Sequence, residues 1–313
     1  MVFKNKTRFF FFSGKGGVGK TTIAAATALR LSRKHKVLIV STDPAHSIAD
    51  SFEQKIGGKE KPIGKNLWGV EIDPADAVEQ YKQKLAPKME KMEMLKGLGL
   101  ADAFDIAGMT PGIDEMAAFD RFLHYMTSNE YDYVVFDTAP TGHALRFLSL
   151  PDVMDSWLVK IIKLRAKFSG MINIAKKILP FGEPGKDDTN LGLEQLERMK
   201  ARVEAAKKLL ADKKRTEYNI VLIPQEMSIF ESERALKTLH EYNIAVGSIF
   251  VNQLTPANGH CKFCQERRAG EQKRLGLIRQ KFRGFKIREL ELFGHEIKGE
   301  RALEKVGQRL YGK

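Results

Sequence analysis

FFFFSGKGGVGKTT, running from Phe9 to Thr22, reads as a strand, a glycine-rich turn and the start of a helix. Four consecutive aromatic residues make a short buried strand, and the segment after the turn, IAAATALRLSRK, is helix-forming. Gly14, Lys15, Gly16, Gly17, Val18, Gly19, Lys20 and Thr21 satisfy GxxxxGK[ST], and Thr22 follows directly. Glycine suits such a loop because backbone N–H groups must turn toward an anion with no Cβ in the way. The loop amides and the helix N-terminus then hold phosphate oxygens, Lys20 supplies a point charge to the outer phosphates, and the Thr21 hydroxyl can ligate Mg²⁺. Lys15, at the tip of the turn, is a second lysine that the simple motif does not need. It is either a solvated loop lysine or a further contact to the nucleotide.

These residues predict an α/β protein: a P-loop NTPase with a mostly parallel sheet flanked by helices, binding ATP with Mg²⁺. At 313 residues the chain is long enough for one such domain with an inserted subdomain, and too short for a tandem duplication. Its 52 basic and 39 acidic residues give a net charge of +13, but the lysines stand beside glutamates in stretches such as KMEKMEMLK. That pattern describes solvated faces rather than a nucleic-acid stripe, so direct nucleic-acid binding is not expected. Two cysteines are too few for a disulfide framework, no charged-then-apolar leader precedes the loop, and no apolar run has the length of a bilayer span. The expectation is a cytoplasmic protein that meets membranes only transiently, through a receptor.

Farther along, KVLIVSTDPAHS is a β-branched strand ending at Asp43, and YDYVVFDTAPTG is another ending at Asp137. Acidic residues at the carboxyl ends of parallel strands point into the ligand crevice of an open α/β sheet. Asp43 is placed to orient the attacking water, or alternatively to cap a helix, and Asp137 to serve Mg²⁺. LWGVEID, YNIVLIP and VGSIFVNQ read as further strands, with a helix around ESERALKTLHEY. Asn252 lies at the end of one strand, where a nucleotide base or a simple strand-to-loop turn would use it.

Two stretches break the α/β pattern. Segments 85–110 and 151–180 hold six of the eleven methionines, and Trp157, Ile161, Leu164 and Phe168 recur at helical spacing. They form either the core of a helical subdomain or an exposed apolar groove, to which Met89, Met92 and Met171 would lend adaptability. The predicted layout is an ATPase core from 1–84, 115–150 and 216–313, and a helical subdomain from 85–114 and 151–215. Cys261 and Cys264 form a C-x₂-C with the spacing of metal ligands, His260 beside them. A structural zinc needs four ligands, so a second copy related by a two-fold axis would complete the site; a redox dithiol and two plain thiols are the alternatives.

Together GKGGVGKT, DPAHS, DTAPTGHALRFL, VNQ, C-x₂-C and GHEIKG resemble the Get3/TRC40 and ArsA group of ATPases, nearly end to end. The resemblance implies that Lys15 acts across a dimer on the partner's nucleotide and that Asp43 in switch I positions water. It places Asp137 in switch II with Mg²⁺, and Glu226 and Asn252 in contact with nucleotide. Cys261 and Cys264 would share a zinc between subunits. Within the group, arsenite-pump ATPases carry metalloid-binding cysteines, one near the position that here reads Pro111-Gly112-Ile113-Asp114-Glu115, without a thiol. The methionine-rich segments are similar instead to targeting factors that hold the transmembrane helix of a tail-anchored protein. Ser47 stands where eukaryotic members typically carry asparagine. An arsenite or oxyanion pump subunit and an iron–sulfur cluster carrier remain as the alternative functions.

Overall fold

The computed structural model describes residues 7–42, 47–72, 121–138, 201, 204–257 and 261–312. In chain order the elements are β1 (Arg8–Ser13), α1 (Lys20–Ser32), β2 (Val37–Ser41), α2 (Ser47–Phe52), β3 (Lys61–Gly64) and β4 (Leu67–Glu71). They continue with β5 (Tyr133–Asp137), β6 (Thr216–Leu222), α3 (Glu226–Glu241), β7 (Val246–Leu254), α4 (Lys262–Lys281), β8 (Lys286–Glu291) and α5 (Gly299–Tyr311). Residues 121–127 and 204–211 are also helical.

Eight strands form one sheet in the order β3-β4-β2-β5-β1-β6-β7-β8, parallel throughout except for the β3/β4 pair. The aromatic run becomes β1, bonded on one side to β5 and on the other to β6. A strand enclosed on both edges and both faces needs apolar residues at successive positions, which is why the phenylalanines do not alternate with polar residues. They still divide by face. Phe9 and Phe11 enter one core cluster with Leu209, Tyr218, Ile229 and Ile278, and Phe12 enters the other with Ile23, Leu303 and Val306. Phe11 stacks on Phe136 of β5 at 4.7 Å and on Tyr218 of β6 at 5.7 Å, tying the three central strands together.

The strands expected at KVLIV, LWGVE, YVVFD, the stretch ending in NIVL, and VGSIFVNQ are present. Not anticipated were β3, α4 and β8. β3 and β8 are the two edges of the sheet, where Lys61, Pro62, Lys286 and Arg288 are tolerated because one side needs no ladder partner. α4 buries only Glu271, Leu275 and Ile278, so its sequence shows little helical periodicity. α5 is strongly amphipathic, with Leu303, Val306 and Leu310 buried. Of the predicted subdomain, 85–114 and most of 151–215 lie outside the described residues. Leu209 and Leu210, placed in it from sequence, belong to the cluster under the sheet.

Candidate phosphate-binding site

β1 ends at Ser13 in the middle of the sheet, and the chain turns from there into α1. Gly14 passes so close to β6 that a Cβ would come within 2.1 Å of the Val221 carbonyl oxygen. Gly17 and Gly19 have φ of 80° and 88°, the left-handed region that glycine enters without strain. Gly19 is the N-cap of α1; no side chain caps the helix and no acidic residue occupies its first turn. The partial positive charge of the helix start is thus left for an outside anion.

A cavity of about 440 Å³ opens on this loop, lined by Gly16, Gly17, Gly19, Lys20, Thr21 and Thr22. The Lys20 ammonium donates to the Lys15 carbonyl oxygen at 3.3 Å, which curls the loop around its own lysine. The Thr21 hydroxyl donates to Asp137 Oδ2 at 2.7 Å, joining the start of α1 to the end of β5. A hydroxyl and a buried carboxylate side by side are hard oxygen donors of the kind Mg²⁺ prefers. The predicted metal pair is therefore together, on the same face as the phosphate loop.

Asn252 and Gln253 reach the loop from β7. Asn252 Nδ2 donates to the Val18 carbonyl at 2.8 Å, and Gln253 Nε2 to the Gly17 carbonyl at 3.0 Å. Asn252, anticipated as a base contact, thus has its amide directed to the phosphate loop. The far wall of the cavity is the chain after β8, including Phe293, His295 and Ile297, with the Arg309 guanidinium over the Phe293 ring at 4.3 Å.

Glu226, the first residue of α3, is exposed and lines a separate cavity of about 550 Å³ with Arg267, Glu271 and Arg274; Gln253 borders both cavities. Lys15 sits 3.6 Å from Glu231 on α3, a partly exposed ion pair within this one chain. Asp43 lies outside the described residues, as do Met89, Met92, Trp157, Ile161, Leu164, Phe168, Met171 and His260. Glu71 is a buried carboxylate at the end of β4 that accepts the Ile48 and Ala49 N–H groups at 3.1 and 2.9 Å. It anchors the start of α2, immediately after the Asp43 segment.

Cys261 and Cys264 stand at the opposite end of the chain's chemistry. Cys261 is the N-cap of α4, and its sulfur accepts the Cys264 N–H at 3.2 Å. The hydrogen bond from the Cys264 side chain, aided by that backbone N–H, holds the Cys261 thiol below its ordinary range. Its counterpart raises Cys264, with desolvation adding to the rise. Among the described residues no group of three or more His, Cys, Asp or Glu side chains could hold a metal within one chain. Farther along α4, buried Glu271 accepts from Thr255 N and Oγ1 at 2.7 and 2.9 Å and from Arg267, tying the helix to the chain just after β7.

Sequence reasoning missed Gln253, Glu71, Glu231 and the wall at 293–297. Each acts through partners distant in the chain, and the only trace was that Gln253 and most of the wall fall in VNQ and GHEIKG, stretches recognised without a role being read for these residues.

The profile of the anion-transporting ATPase family (ArsA_ATPase) matches residues 7–312. The chain is 38% identical over 333 aligned residues to ATPase GET3C of Arabidopsis thaliana, an alignment covering 99% of this chain and 84% of that protein. It is 36% identical to ATPase GET3 of Podospora anserina, with 97% and 90% covered. It is likewise 36% identical to ATPase ARSA1 of Chlamydomonas reinhardtii, but there the alignment spans 86% of this chain and only 37% of the relative.

Proposed function

Because the chain belongs to the anion-transporting ATPase family and is an ATPase, we propose that it is a targeting factor: it binds the transmembrane segments of tail-anchored proteins and delivers them to a membrane under control of ATP hydrolysis. The observation that carries this reading is the Thr21–Asp137 contact at 2.7 Å. It joins the phosphate loop to the strand end from which the chain runs on into the apolar segment 151–180. A change at the phosphates has a short covalent route to that segment.

In the proposed cycle the loop amides and Lys20 hold the phosphates. Thr21 and Asp137 are the residues that would hold Mg²⁺, which would neutralise charge developing on the phosphate oxygens. Asp43 orients water, Lys15 exchanges Glu231 for the nucleotide of a second copy, and Phe293 and Ile297 offer an apolar wall to the base. Glu226 faces the second copy. Cys261 and Cys264 supply half of a tetrahedral zinc site that the homodimer completes. The protein works in the cytoplasm, and a receptor brings it to the membrane.

Targeting is favoured over metalloid transport by cysteine content: the whole chain has two, both in the C-x₂-C, and none at Pro111–Glu115. A trivalent metalloid needs soft thiolate ligands. A spanning helix of about 20 apolar residues stays in solution only if most of its surface is covered, which two paired subdomains with adaptable methionines would do. The test is copurification with a radiolabelled tail-anchored substrate, with and without ATP. Replacing Ile161, Leu164 and Phe168 by Asp should abolish capture while ATP turnover persists; folded variants that still capture the substrate would defeat the proposal.

A further inference from the structure

β7 leaves ordinary strand geometry at Gln253, whose φ of 59° lies in the left-handed region. Glycine adopts that conformation freely and glutamine does not, so a glutamine there is maintained by its surroundings. The retaining contact is local: Asn252 Oδ1 accepts the Gln253 backbone N–H at 2.8 Å. The consequence is long-range. With the backbone turned, both side-chain amides face the phosphate loop, Gln253 Nε2 on the Gly17 carbonyl and Asn252 Nδ2 on the Val18 carbonyl.

In a trans peptide the carbonyl and the N–H point in opposite directions. Fixing the Gly17 carbonyl toward β7 therefore aims the Val18 N–H away from β7, and fixing the Val18 carbonyl does the same for the Gly19 N–H. These are two consecutive amides of the loop that cradles phosphate. The fit at Gly19 is close, since a Cβ there would lie 2.3 Å from Asn252 Nδ2.

We infer that Asn252 and Gln253 are positioning residues for the phosphates: the strained end of β7 holds two successive loop peptides in the anion-receiving orientation before nucleotide arrives. Donors fixed in advance need no reorganisation when the charge appears, and this is the source of their effect on binding and on the transition state. The strain at Gln253 is offset by the two side-chain contacts it makes possible. The role concerns the ATPase activity itself and is independent of any client.

Two substitutions separate this role from a structural one. Gln253→Met keeps the length and removes the donor, while Gln253→Gly removes the donor and also relieves the backbone. Calorimetric affinities for ATP and ADP, steady-state kinetics and thermal melts should be measured for both. Both variants should lose about five- to tenfold in affinity for ATP and ADP, with the loss in kcat/KM carried mainly by KM. The glycine variant should melt at or above the temperature of the parent. A glycine variant with parental nucleotide affinity would overturn the assignment, as would affinity and melting temperature falling together in both variants.

Discussion

α1 and α4 begin in opposite ways. At α1 the N-cap is Gly19, with no side chain to cap the helix, and the loop before it is braced from behind by Asn252 and Gln253. At α4 the N-cap is Cys261, whose own sulfur takes up the Cys264 N–H. Both helix starts favour negative charge. The first has no side-chain cap, so its positive end is available to an anion from outside; at the second a sulfur of the same chain accepts an N–H, and the Cys264 side-chain hydrogen bond together with that N–H biases the Cys261 sulfur toward thiolate. At the first, the loop, Lys20 and Thr21 that line the cavity all come from one strand–turn–helix unit. At the second, two sulfurs stand three positions apart, and among the described residues no third His, Cys, Asp or Glu joins them in a group that could hold a metal.

The strongest way to break this contrast is to give α1 a side chain where it now has none. Gly19→Ala puts a Cβ against Asn252 at a φ of 88°, and strain of this kind costs about 1–3 kcal/mol. ATP affinity should fall tenfold or more, because the collision falls on the brace itself; calorimetric titration with ATP is the measurement. Parental affinity would mean that the loop is not held as described.

A smaller effect is expected at α4. In metal-free protein the pH profile of iodoacetamide labelling, read by mass spectrometry, should have its midpoint below the ordinary 9.0 for Cys261 and above it for Cys264. The sign follows from the hydrogen bond. A thiol depressed in the folded state contributes stability that is full above its unfolded pKa and fades as pH falls through the folded one, and the raised partner behaves in the opposite sense. Zinc should collapse the difference by protecting both sulfurs, at one metal per two chains. Equal midpoints without metal would remove the distinction between the capping sulfur and its neighbour.

The smallest effect belongs to the tip of the phosphate loop. Lys15 and Glu231 are 3.6 Å apart with side chains 39% and 30% exposed, and such pairs contribute at most about 1 kcal/mol. Glu231→Gln should shift the melting temperature by no more than about 2 °C. An unchanged melt combined with altered ATP turnover would show that Glu231 governs where Lys15 goes rather than how stably the chain folds.

Legibility followed distance along the chain. The phosphate loop could be read because its requirements are local: glycines for two left-handed residues, lysine and threonine at the helix start, apolar residues for an enclosed strand. Asp137 stood out because an acid ending a strand after a phosphate loop is the expected place for a metal-serving carboxylate, and the structure places it 2.7 Å from the Thr21 hydroxyl. The edge strands β3 and β8 and the polar helix α4 were not legible, since partial exposure removes the periodicity by which elements are recognised.

By itself, then, the sequence determined the sheet's centre, the phosphate loop and the carboxylate that ends β5, because each depends on residues within one strand–turn–helix unit or at a strand's end. Only the tertiary structure decided what stands behind and across from that loop. Asn252 and Gln253 meet carbonyls 234 and 236 positions away, and the wall at 293–297 arrives from the last strand of the chain. Such contacts are set by the order of strands in the sheet, which places β7 within reach of the turn after β1, and no local pattern of residue types encodes that order.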